Sequence, residues 1–284
     1  MLLGHEKVSF LHLPTPLEYL PGVSQDLGVE FYIKRDDLTN LGVGGNKLRK
    51  LEYLLKDAQD QGATMLLTLG GAQTNHGRLT AAVAAKYGMK CAIVCVDPYP
   101  GELSDNLLLD RLMGAEVVLK KDDGRPESEQ FAEVAAQVKA RYEAQGEKVY
   151  EIPIGGSSDL GILGYYECAQ ELTQQAKAMG LEDATVYAAV GSIGTYMGLY
   201  CGLANEKSPL GLVGVAISPF LEAKEKRIVE YFNSAKETFG LTCDAKREDF
   251  HIEKDYTRGA YNNPCREVRD AVCYMARREH SHDS

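Results

Sequence analysis

No apolar run in this chain approaches the ~20 residues needed to cross a bilayer. Glu6 interrupts MLLGHEKVSF where the apolar region of a signal peptide would continue. A membrane is therefore not an expected partner, and a cytoplasmic location is expected. Tryptophan is absent, and the seven cysteines (91, 95, 168, 201, 243, 265 and 273) are odd in number and contain no CxxC pair. That argues against a disulfide framework. Most of them sit inside apolar runs such as KCAIVCV and read as reduced core thiols. His76, His251, His280 and His282 are not joined to cysteines or carboxylates at ligand spacing, so no metal site is expected. Positive charge is scarce as well: 31 Lys and Arg against 41 Asp and Glu leave a formal charge of −10. The only basic cluster, Lys224, Lys226 and Arg227, is broken by Glu225 and reads as a solvated helix face. Nucleic acid is not an expected partner either.

What is present is ordinary globular usage, 44% hydrophobic and 25% charged over 284 residues, enough for a large core. Short β-branched runs at 29–35, 64–69, 90–96, 116–120, 148–154, 185–190 and 211–218 read as strands. Several lack polar alternation, as expected where helices cover both faces of a parallel sheet. Helical segments are expected at 46–61, 78–87, 127–144, 160–179 and 221–238, and the polar stretch 120–129 reads as a strand-to-helix loop. The alternation predicts an α/β fold with open, twisted, parallel-type sheets. In such sheets ligands bind beyond the carboxyl ends of the strands, so the loops there should carry the chemistry.

Three loops have the composition for it. In LGVGGNKLRKLEYLL (41–55), Gly42, Gly44 and Gly45 permit a sharp turn, and Lys47 falls at an exposed helix start. There the helix dipole disfavours a cation by roughly 0.3 to 1 kcal/mol. A lysine that loses its proton readily is what imine formation with an aldehyde cofactor needs; a surface lysine beside Arg49 and Lys50 is the other reading. In LTLGGAQTNHGRLTAAVAAKYG (67–88), a strand runs into Gly70 and Gly71, and Gln73, Thr74, Asn75 and His76 stand just before a helix whose free N–H groups suit a carboxylate or phosphate. An ordinary capped helix would look the same. In TVYAAVGSIGTYMGLYCGLA (185–204), Gly191, Ser192, Ile193, Gly194 and Thr195 at a helix mouth form a phosphate cradle. The glycine spacing is neither a P-loop nor a dinucleotide fingerprint, which favours one phosphate over a pyrophosphate. A phosphate cradle, an activated lysine and a carboxylate loop in one α/β chain together suggest pyridoxal phosphate.

These segments, with TPLEYLPGVSQDLGVEFYIKRDDL (15–38), IPIGGSSDLGILGY (152–165) and the run GGNKLRKLEYL, resemble the fold-type-II pyridoxal-phosphate enzymes. Within that group the similarity is to the D-cysteine desulfhydrase and 1-aminocyclopropane-1-carboxylate deaminase family. The resemblance implies the tryptophan synthase β-like architecture. A larger domain would comprise 1–49 and 158–284, with a smaller one at 50–157. It implies pyridoxal 5′-phosphate as cofactor, with Lys47 as the Schiff-base lysine. Asn75 would be the partner of the ring hydroxyl or of the substrate carboxylate, Thr74 and His76 would share the carboxylate loop, and Ser192, Ile193, Gly194 and Thr195 would hold the phosphate. Lys47, Thr74 and Tyr261 would form the catalytic set, although Tyr261 also reads as a packed phenol.

The implied activity is β-elimination from a small amino acid, D-cysteine first, giving pyruvate, ammonia and hydrogen sulfide. Ring opening of 1-aminocyclopropane-1-carboxylate is the alternative. The resemblance also implies a homodimer. Four departures from the family pattern stand out. Thr74 replaces the usual serine and should place a methyl beside the substrate. Ile193 replaces a smaller residue, and Asn262 follows the tyrosine in place of glycine. The chain is also short at its end, RREHSHDS, where relatives continue through a segment that completes the large domain. That last departure makes a cofactor-binding protein with little catalysis a further reading.

Overall fold

The structure, a computed structural model, describes residues 1–97, 105–259, 261, 263 and 265–279. Asn262, His280 and His282 lie outside the described residues. The first elements are a small antiparallel pair, β1 (Leu17–Tyr19) and β2 (Tyr32–Lys34), joined through α1 (Pro21–Leu27). Leu17 faces Lys34 across it. The run at 29–35 is thus a strand, but a three-residue antiparallel one with half-buried side chains rather than part of a parallel sheet.

Next come α2 (Leu48–Asp60), β3 (Met65–Gly70), α3 (Asn75–Lys86), β4 (Lys90–Asp97), α4 (Asp105–Leu112), β5 (Glu116–Lys121), α5 (Glu127–Glu143) and β6 (Val149–Ile152). The four strands form one parallel sheet in the order β5-β4-β3-β6. Successive side chains of a strand point to opposite faces. Leu66, Ile93 and Cys95 therefore join the cluster containing Leu51, Leu55 and Leu79 of α2 and α3. Their neighbours Met65, Leu67, Ala92, Val94 and Val96 pack with Phe131, Ala135 and Val138 of α5 on the other face. Both faces are buried, which is why these strands show no polar alternation.

Then follow α6 (Asp159–Met179), β7 (Thr185–Val190), α7 (Gly194–Asn205), β8 (Gly211–Ala216), α8 (Glu222–Phe239), β9 (Ile252–Glu253) and α9 (Arg266–Glu279). Strands β7, β8 and β9 make a second parallel sheet. Helix α6 packs closely on both α2 and α7. A Cβ at Gly164 would strike the backbone of Arg49, and one at Gly202 would lie 2.6 Å from the Cβ of Ala169. These approaches bring the starts of α2 and α7 together. Cys91, Cys95, Cys168 and Cys201 are buried thiols, whereas Cys273 is exposed on α9. Among the described residues no helix is long and apolar enough to cross a membrane.

Candidate active site

Four segments converge at the carboxyl ends of β3, β6 and β7: the starts of α2, α3 and α7, and the 3-10 turn Ile154–Gly156. Glycines allow the approach. A Cβ on Gly155 would collide with Ser192 Oγ and stand 3.6 Å from Lys47 Cε, and one on Gly194 would stand 2.9 Å from Lys50 Nζ. The hydroxyls of Ser157 and Ser192 are 2.7 Å apart. Asn46 Nδ2 reaches Thr195 Oγ1 at 3.4 Å, and Asn75 Nδ2 reaches Asn46 Oδ1 at 3.4 Å, so one side chain spans α3 and α7. The structure thus brings Lys47, Asn75, Ser192, Gly194 and Thr195 into one neighbourhood.

Lys47 caps the start of α2, but it is not the exposed residue its position in the sequence suggests. Burial removes water from its ammonium and pushes its pKa down to about 8. Three residues on, the same helix face carries Lys50, which is wholly buried and was not singled out from the sequence. Its Nζ donates to Gly155 O at 3.1 Å. Burial, and secondarily the Lys47 charge, drives its pKa far below the lysine range. A buried amine facing the open first turn of α7 has the right chemistry to receive an anion.

At the mouth of α7, Ile193 adopts φ 71° and ψ −34° and is 2% exposed. A β-branched residue at positive φ is strained by about 1–3 kcal/mol. Packing among Ile162, Val190, Tyr196 and Met197 holds it there. The side chain belongs to the core, and only the backbone turn belongs to the site.

Thr74 and His76 sit differently from expectation. The Thr74 hydroxyl accepts the Gly77 N–H at 3.3 Å, so α3 begins at Asn75 and takes His76 into its first turn. The threonine methyl packs against Gly77, where an added Cβ would strike it. His76 is buried, its Nε2 2.9 Å from Thr68 Oγ1, and burial pushes its pKa down to about 3 with help from Lys47 and Lys50. It is a neutral ring whose Nδ1 has no partner among the described residues. Tyr261 stands 56% exposed in the segment before α9 and makes no hydrogen bond among the described residues.

Behind the site, Arg49 anchors α2. Its Nε and Nη2 bind the two oxygens of Asp36 at 2.8 and 2.9 Å, and its Nη1 and Nη2 bind those of Glu171 at 2.9 Å each. Asp36 also accepts from Thr15 and Tyr165. The network fixes the helix turn that carries Lys47 and Lys50.

A group with an aldehyde and one phosphate fits these residues. Lys47 offers an amine at the edge of neutrality, and the glycine-lined mouth of α7, the paired serines and the buried Lys50 offer an anion seat without side chains in the way.

Comparison with known proteins agrees. Residues 8–281 match the family described as pyridoxal-phosphate dependent enzyme. A Salmonella choleraesuis D-cysteine desulfhydrase is 40% identical over 95% of this chain and 81% of its own length. A Pyrococcus abyssi protein, named provisionally as a 1-aminocyclopropane-1-carboxylate deaminase, is 39% identical over 96% of this chain and 80% of its own. A crystal structure of an ACC deaminase homologue superposes with a TM-score of 0.87 at 34% identity, covering 98% of this chain and 82% of that one. The chain belongs to the pyridoxal-phosphate dependent enzymes, with the fold-type-II architecture that the motifs around Lys47 imply.

Proposed function

We propose that this enzyme catalyses β-elimination from a small amino acid, D-cysteine first, releasing pyruvate, ammonia and hydrogen sulfide. The observation that carries the reading is the desolvated Lys47 amine beside an anion seat, in a chain 40% identical to a D-cysteine desulfhydrase. When bound, pyridoxal phosphate supplies an aldehyde for attachment and a ring that acts as electron sink. Lys50, Ser192, Thr195 and the backbone N–H groups from Ile193 and Gly194 onward hold the phosphate. Lys47 Nζ, whose pKa of about 8 lets it lose its proton far more readily than an ordinary lysine, holds the cofactor and accepts the substrate Cα proton. Asn75 offers its amide to an oxygen of the ring or substrate, and the N–H groups at the start of α3, by Thr74, Asn75 and His76, receive the carboxylate.

Cyclopropane ring opening is the second reading, supported by the names of two relatives. That substrate has no Cα hydrogen, so another group must start the reaction. Tyr261, the phenol expected to share the site, is 56% exposed, which favours elimination begun by Lys47. Tyr261 stays in the proposed catalytic set on the resemblance alone. The enzyme is further read as a cytoplasmic homodimer. The smaller domain is read as 50–157, in keeping with strands β3 to β6 pairing only among themselves among the described residues.

Steady-state assay of the loaded enzyme with D-cysteine, β-chloro-D-alanine, L-cysteate and 1-aminocyclopropane-1-carboxylate tests the reading. Pyruvate from D-cysteine and β-chloro-D-alanine is expected. Turnover of the cyclopropane substrate alone would establish the second reading, and covalent loading without turnover would make the protein a binder.

A further inference from the structure

Arg78 lies one turn into α3 and is 8% exposed. Its Nη2 donates to Gly44 O at 3.0 Å and to the side-chain oxygen of Asn75. A guanidinium has no acceptor, so only the oxygen end of the Asn75 amide can face it. The Nδ2 end is thereby turned toward Asn46, and Gly45, two residues before Lys47, puts no side chain over it: a Cβ there would lie 3.0 Å from the amide.

On the far side of Arg78 stands Asp110 of α4, wholly buried. Neither of its oxygens, nor Arg78 Nη1, has a hydrogen-bond partner among the described residues. Burial raises the Asp110 pKa to about 7, with the Arg78 charge pulling the other way, and lowers that of Arg78, with Asp110 opposing. Among the described residues, the Cys91 and Cys95 thiols of β4 also feel the Asp110 charge. Helix α4 is pinned to the same loop by Asn106, whose N donates to Gln73 Oε1 at 3.0 Å and whose Nδ2 donates to Gln73 O at 2.9 Å.

We infer that Arg78 is a positioning residue of the site: it fixes Asn75 as a hydrogen-bond donor toward an anionic oxygen of the ligand. The inference rests on the pyridoxal-phosphate reading. The oxygen belongs to the cofactor ring hydroxyl or to the substrate carboxylate, and two titrations separate these: pyridoxal 5′-phosphate into cofactor-free protein, and D-alanine, which has no leaving group, into loaded protein. Loss in the first assigns the ring, and loss only in the second assigns the carboxylate.

Asn75→Ala and Arg78→Met are each expected to weaken the same titration by roughly 10-fold or more. The double variant is expected to be no weaker than Asn75→Ala alone, because the arginine acts only through the amide. Asn75→Asp keeps an oxygen for Arg78 but loses the donor, so it should melt at or above the wild-type temperature while losing the same affinity. Additive losses in the double variant, or wild-type affinity in Asn75→Asp, would overturn the inference. If Asn75→Ala leaves both affinities intact while borohydride still traps cofactor on Lys47, the inference fails and the family reading stands. Wild-type protein that takes up no pyridoxal phosphate defeats both.

Discussion

Lys50 Nζ donates to the carbonyl oxygen of Gly155 at 3.1 Å, tying α2 to the turn after β6 beneath the mouth of α7. A buried amine with one neutral acceptor is costly in the empty protein, and becomes favourable when an anion arrives. Lys50→Met should therefore weaken binding of pyridoxal 5′-phosphate by roughly 10- to 100-fold, the size of a lost charge-assisted hydrogen bond. Binding of pyridoxal, without its phosphate, should be nearly unchanged. Equal losses for the two ligands in parallel titrations would remove Lys50 from the phosphate seat.

Lys47 makes a prediction about pH. Its pKa falls from 10.5 to about 8 on folding. Below pH 8 the amine is charged in both folded and unfolded cofactor-free protein, and its burial penalty is felt in full. Between pH 8 and 10.5 the unfolded chain binds more protons, so this contribution to stability rises with pH. Lys47→Met should raise the melting temperature of cofactor-free protein at pH 7, with the advantage shrinking across that window. The rate of borohydride-trapped attachment in wild type should climb with pH and level off above about 8. A flat rate from pH 6 to 10 would contradict the desolvated amine.

His76 has a consequence of the same sign in a more acid window. Its pKa drops from 6.5 to about 3 in the folded protein, through burial first and the Lys47 and Lys50 charges second. The stability it supports is fully present above pH 6.5. As pH falls from there toward 3 that stability is lost, at up to about 1.4 kcal/mol per pH unit. His76→Gln, which keeps a partner for Thr68, should flatten the acid limb of the stability curve. Unfolding by urea at pH 4, 5, 6 and 7 measures it, and parallel curves for variant and wild type would count against the buried neutral ring.

Thr74 separates a cap from a contact. Thr74→Ser keeps the hydroxyl that holds the Gly77 N–H and removes a methyl packed inside the fold, so it should cost about 1 kcal/mol of stability while leaving KM near the wild-type value. Thr74→Ala loses the cap as well and should cost about 1 kcal/mol more. A Thr74→Ser enzyme with much altered KM and unchanged melting would return the methyl to the substrate side.

The parallel sheet was legible because β3 and β4 bury both faces, leaving uninterrupted apolar runs that few other structures produce. That Lys47, Asn75 and the 192–195 turn stand near one another was legible because each motif follows a strand end or opens a helix, and such ends gather on one side of parallel sheets. Lys50 was not. A lysine reads as solvated, and its burial follows from Gly164 letting α6 press against α2, a contact between residues 115 positions apart that no local pattern contains. Arg49 was hidden for the same reason, since its partners Asp36 and Glu171 come from distant segments. The capped-helix reading of the 67–88 loop holds for Thr74, while the burial of His76 against Thr68 was not legible, because it depends on packing across the loop rather than on composition.

The strained turn at Ile193 is held by the core beneath it, not by anything in the phosphate seat. Its cost is met while the chain folds, so the seat stands ready before any cofactor arrives. The shape of the seat is then set by the core and not by the ligand, while the buried amine of Lys50 leaves the empty protein with a cost that an arriving anion relieves, so loading adds stability to a turn already formed.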